Sequence, residues 1–153
     1  MKEKYPQRKR LRRRGFDYTQ QGPYMVTVCI RHRIKLLSRI VNKETDLSPV
    51  GDMCFKWWVL LESKFPGLQL DEVIFMPNHM HGMIWLDGSV SLIDVLQWYK
   101  TMTTNEYIRG VKDQGWPPFD RKLWLRSYWE DHLHSEQYLR NAKAYIKRNP
   151  KKG

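Results

Sequence analysis

Two histidines one residue apart, His79 and His81, lie in the run Met76-Pro77-Asn78-His79-Met80-His81-Gly82-Met83-Ile84-Trp85. If His79 opens a strand, side chains two apart project from one face at roughly 7 Å spacing, so both imidazoles point the same way and Met80 goes to the other side. Two imidazoles on one face can converge on a divalent cation. They can equally be two half-buried histidines, and a lone His-x-His does not choose between these readings. Gly82 shares the side of Met80 and leaves room there for close packing, most simply of a helix.

Near the C-terminus, Tyr138, Ala142, Tyr145 and Asn149 fall on one stripe at helical spacing, while Leu139, Ala142 and Ile146 can face a core. Tyr145 and Asn149 are one turn apart. A phenol beside an amide oxygen is what an attacking tyrosine close to a bound metal requires; the same spacing suits a core tyrosine and an asparagine that ends a helix before Pro150. A further His-x-His, His132 and His134 after Glu130 and Asp131, has no spaced cysteines around it and reads as structural or superficial.

The elements that must position these groups follow from periodicity. Gly22-Pro23 precedes Tyr24 to Ile30, β-branched and aromatic, which predicts a first strand. Val50, Cys54, Trp57, Trp58, Leu61 and Phe65 recur at spacings of three and four, a helix with one buried stripe ended by Pro66-Gly67. Leu70 to Met76 and His79 to Leu86 read as paired strands around a Pro77-Asn78 turn. Ser91 with Asp94 resembles a capping box before Leu92, Val95, Leu96, Tyr99 and Met102, a helix expected to run to about Gly110. Gly115, Pro117 and Pro118 mark a loop from Asp113 to Asp120, and Leu123 to Trp129 is apolar enough for a fourth strand. A last helix is expected from about Ser135 to Pro150. The order βαββαβ followed by a helix predicts an α+β, ferredoxin-like antiparallel sheet with helices on one face.

With 153 residues the chain has the length of one domain, and 7 Trp, 8 Tyr and 5 Phe supply ample apolar surface to fold it. The expected division is a basic arm over residues 1–14 and a single domain over 15–153. No apolar run approaches a membrane span and no signal peptide is visible, so the expectation is a cytoplasmic protein that does not engage membranes. Cys29 and Cys54 read as buried free thiols. The net charge of +11 points to a polyanionic partner, nucleic acid first. In the arm, Lys2, Lys4, Arg8, Lys9, Arg10, Arg12, Arg13 and Arg14 oppose only Glu3, which suits contact with nucleic acid or a merely solubilising tail. Tyr18, Trp98, Tyr99, Trp116 and Trp124 can stack on unpaired bases if exposed, or belong to the core.

Taken in order, Arg14-Gly15-Phe16-Asp17-Tyr18-Thr19-Gln20-Gln21-Gly22-Pro23-Tyr24, the block Met76 to Gly82, the region Trp124 to His132 and Tyr145-Ile146-Lys147-Arg148-Asn149-Pro150 resemble the single-tyrosine HUH transposases, specifically the REP-associated tyrosine transposase branch. The likeness spans nearly the whole chain. It implies that His79 and His81 form the histidine pair of a metal site, with Mg²⁺ or Mn²⁺ as the cofactor, and that Tyr145 is the nucleophile. Asn149 would be a third metal ligand, standing where related insertion-sequence transposases use Gln. The resemblance also implies the ferredoxin-like fold and a substrate of single-stranded, hairpin-forming DNA such as a repetitive palindrome. Arg8, Lys9, Arg10, Arg12, Arg13, Arg14, Lys143, Lys147 and Arg148 are the candidate DNA contacts, and a homodimer is compatible with the family. Two competing functions are a domesticated, non-catalytic nucleic-acid-binding protein and a hydrolase that uses metal-bound water.

Overall fold

The computed structural model describes residues 21–125, 129–132, 140–141 and 143–147, with 129–132 as backbone. The arm at 1–14 and Asn149 lie outside the described residues.

Four antiparallel strands form the main sheet. β1 (Gly22–Cys29) pairs on one side with β5 (His79–Leu86) and on the other with β6 (Trp129–His132), and β4 (Leu68–Met76) pairs with β5. The spatial order β4-β5-β1-β6 is that of the ferredoxin-like βαββαβ arrangement. Leu123 and Trp124 do not open the fourth strand, as their apolar character suggests. Trp124 makes a single bridge to Ile30, and the strand that extends the sheet begins at Trp129.

α1 (Pro49–Val59) starts where Ser48 accepts a hydrogen bond from the amide of Gly51 at 3.0 Å, with proline preset for the first helical turn. The single helix expected to Phe65 is divided: α1 ends at Val59 with Leu60 as its C-cap, and α2 (Leu61–Lys64) is one further turn. α3 (Leu92–Asp113) is capped by Ser91, whose hydroxyl accepts from the amide of Ile93. Both α1 and α3 cover one face of the sheet, where Tyr24, Val26, Val28, Met80 and Ile84 meet Cys54, Trp58, Val95, Leu96 and Tyr99. Gly82 has the role its side of the strand suggests. A Cβ there would lie 2.4 Å from the Trp58 ring, so only glycine lets the indole lie flat on β5.

An element with no counterpart in the sequence reading is a two-stranded hairpin, β2 (Ser38–Val41) and β3 (Glu44–Leu47). Its turn places Asn42 and Lys43 at φ 53° and 63°, the double left-handed geometry of a tight hairpin loop. The segment at 140–141 and 143–147 is helical. Its Ile146 is buried with Met25 and Met83 on the sheet face opposite α1 and α3. No helix among the described residues is long and apolar enough to cross a membrane.

Candidate active site

Strand parity separates two functions along β5. Met80, Gly82 and Ile84 face the helices, whereas His79, His81 and Met83 face the other way, toward the C-terminal helical segment. The rings of His79 and His81 lie 4.8 Å apart between centroids and are nearly perpendicular at 83°. On the same face, the ring of Tyr145 lies 5.2 Å from that of His81, edge to face at 79°. The structure thus brings together three of the residues singled out by spacing, from positions 64 residues apart in the chain. Tyr145 is half-buried, held against Met25, Met83 and Ile146.

Each imidazole is oriented by a polar neighbour. The Nδ1 atom of His79 is 2.6 Å from the side-chain oxygen of Asn78, an acceptor, so Nδ1 carries the proton and Nε2 keeps its lone pair. Nδ1 of His81 is 2.8 Å from the Thr27 hydroxyl, which can accept in the same way. Thr27 is the register partner of His81 on β1 and is itself buried. Burial, reinforced by the charge of His79, pushes the His81 pKa down to about 3, and burial with the charge of Arg33 also lowers that of His79. Both rings are therefore neutral near pH 7. Neutral imidazoles, each with Nδ1 engaged and Nε2 outside that bond, are the donor set a divalent transition ion accepts, so the pair fits a metal. Among the described residues no cluster of three or more His, Cys, Asp and Glu side chains accompanies them.

The helical segment is tied to the sheet by an acidic residue that sequence reasoning missed. Between Leu70 and Val73, β4 carries a bulge in which Asp71 and Glu72 together oppose Met83 of β5. Asp71 accepts a hydrogen bond from the Trp85 indole at 2.8 Å and lies 3.5 Å from the Lys143 ammonium. Lys143, a candidate DNA contact, is thus engaged in holding its helix, while Lys147 is exposed. Arg148 and the arm residues fall outside the described residues. Of the aromatic candidates, Tyr99 and Trp124 are buried, Trp98 packs edge-on against Trp57 and Phe65, and Trp116 lies against Gly110 and Tyr107, so these four serve the core. Tyr18 lies outside the described residues. Cys54 is buried as expected and Cys29 only partly so, and neither is in a disulfide. His132 is the register partner of Tyr24 at the sheet edge.

Comparison with known proteins gives the family and the fold. The family model described as "Transposase IS200 like" matches residues 19–149, and the chain belongs to that family, a class of DNA-processing enzymes. It is 26% identical over 159 residues to an uncharacterised protein of Haemophilus influenzae, covering 94% of this chain and 88% of that protein. Among solved structures, a REP-associated tyrosine transposase bound to a REP hairpin superposes with a TM-score of 0.69 at 19% identity, over 92% of this chain and 73% of that one. A candidate transposase from Deinococcus radiodurans R1 gives 0.59 at 18% identity, over 89% and 95%. Both structures share the fold.

Proposed function

We propose that this transposase is a metal-dependent, single-stranded DNA endonuclease and strand transferase that cleaves beside hairpin DNA of the REP-palindrome kind and holds the cut end as a 5′-phosphotyrosine. The observation that carries this reading is the Tyr145 ring standing 5.2 Å from the His81 ring, on the one sheet face that presents two neutral imidazoles. The REP-hairpin-bound neighbour, which shares the fold, supports the substrate class.

His79 and His81 would hold Mg²⁺ or Mn²⁺ with Asn149 as a third ligand, and the bound ion would neutralise the non-bridging oxygens that otherwise repel a nucleophile. Tyr145 loses its phenolic proton and its oxygen attacks phosphorus. The bond from phosphorus to the 3′ oxygen breaks, and that oxygen leaves as a hydroxyl on taking up a proton. One phosphodiester replaces another, so the strand can be rejoined without an external energy source. Asn78 and Thr27 each engage Nδ1 of one ring, which leaves Nε2 of both rings to face the ion. Asp71, through Lys143, keeps the helix of Tyr145 on the sheet.

The test is a labelled hairpin bearing a single-stranded extension, incubated with the protein and Mn²⁺ or Mg²⁺ and then denatured. Label should remain on the protein, and it should vanish in Tyr145→Phe, in His79→Ala and with a chelator. Cleavage that persists in Tyr145→Phe would assign the attack to water, and binding with no adduct on any hairpin would move the protein to a non-catalytic role.

A further inference from the structure

Between β1 and β2 the chain makes a loop, 31–36, whose sequence Arg-His-Arg-Ile-Lys-Leu is strongly basic. Both of its ends hang on the turn that presents His79. The amide of Ile30 donates to the carbonyl of Asn78 and the amide of Leu37 to that of Pro77, each at 2.9 Å. The side chain of Asn78 joins the same two parts. Its oxygen engages Nδ1 of His79 and its nitrogen donates to the carbonyl of Arg33 at 3.4 Å. The loop is therefore tied at both ends to the turn that presents His79.

The cations of this loop are used unequally. Arg31 donates to the carbonyl of Asp120, and His32 lies 3.5 Å from the Asp120 carboxylate. Arg33 and Lys35 are exposed, and no carboxylate pairs with either among the described residues. His32 and Arg33 also take left-handed backbone angles, φ 63° and 55°, without being glycine, a strained conformation that persists where the surroundings enforce it. A guanidinium and an ammonium exposed on the loop that is tied to the His79 turn are placed to pair with a phosphodiester lying there.

We infer that loop 31–36 is the track for the single strand to be cut, with Arg33 and Lys35 gripping backbone phosphates next to the cleavage point. The inference rests on the proposed site at His79 and His81 and adds the surface that lays DNA across it. A short loop fixed to one turn follows one backbone. Its partner is therefore the single-stranded extension, and the hairpin stem is held elsewhere.

The test uses the full chain carrying Tyr145→Phe, so that DNA is bound and not cut, at fixed low Mn²⁺. Affinity is measured against sodium chloride for a hairpin with a single-stranded extension and for the same hairpin with a blunt end. Arg33→Ala with Lys35→Ala should weaken the extended probe about tenfold at moderate salt and flatten its log–log salt slope by about 1.4, two contacts at about 0.7 each. The blunt hairpin should be unaffected, and Arg33→Lys should retain most of the slope. An unchanged slope on the extended probe, or an equal loss on both probes, overturns the inference. Because binding is read without cleavage, failure of Tyr145 to form an adduct would leave this result standing and refute only the catalytic reading.

Discussion

On one face of the sheet, α1 and α3 bury a continuous layer from Tyr24 to Trp124, with Trp58 lying on Gly82 and Tyr99 edge-on to Trp58. On the other, the described cover is one helical segment, and its buried apolar contacts are Met25, Met83 and Ile146. The first face is closed by large rings and holds the fold. The second alternates Met with Thr27, His79 and His81, and depends on polar ties such as the Asp71 and Lys143 pair. Stability and chemistry thus occupy opposite sides of the same strands, and among the described residues the chemical side has the smaller buried apolar layer.

The strongest way to break this contrast is Trp58→Ala. It empties the layer over Gly82 and should cost about 3–5 kcal/mol, read as a lowered midpoint in thermal or denaturant unfolding. Loss of under 1 kcal/mol would mean that the helical face is not the main source of stability.

Acid should act on the other face. In the metal-free protein the folded state resists protonation of His81, whose pKa is pushed down to about 3, while the unfolded chain takes up that proton near pH 6.5. The contribution is complete above pH 6.5 and is lost progressively as pH falls toward 3, the loss reaching about 2 kcal/mol by pH 5, with His79 acting in the same direction. Denaturant unfolding at pH 7 and pH 5 measures it, and His81→Gln should flatten the difference.

The smallest effect on stability sharpens the contrast most. Asp71→Asn keeps an oxygen for the Trp85 indole but removes the charge facing Lys143, so it should cost about 0.5–1 kcal/mol, typical of a partly exposed ion pair. Adduct formation should slow by a larger factor than that loss implies, with DNA affinity little changed. Equal changes in rate and affinity would mean that Asp71 acts on DNA and not on the placement of the tyrosine helix.

Much of this was legible before the structure because β5 carries its message in parity. Met80, Gly82 and Ile84 against His79, His81 and Met83 is an alternation that announces two faces, and the periodicity of α3 is long and regular. What could not be read has physical causes. β6, Trp129-Glu130-Asp131-His132, is a polar strand without an apolar alternation, so the apolar residues just before it drew the assignment. β2 and β3 are short, half-exposed and outside the main sheet, and Asn42 in the turn was their only local signal. Asp71 depends on a bulge, which shifts strand parity by one and is invisible to alternation. Thr27 left a trace as the lone hydroxyl between Val26 and Val28; its meaning required knowing that β1 lies beside β5.

The alternation along β5 also limits how this protein can change length. Adding or deleting one residue between His79 and Ile84 would turn the imidazoles into the oily layer beneath α1 and bring Met80 out in their place, silencing the enzyme while unsettling its interior in one stroke. Changes made in pairs, or placed beyond the strand ends, escape that double penalty. Length variation should therefore be tolerated in the β2–β3 hairpin long before it is tolerated here.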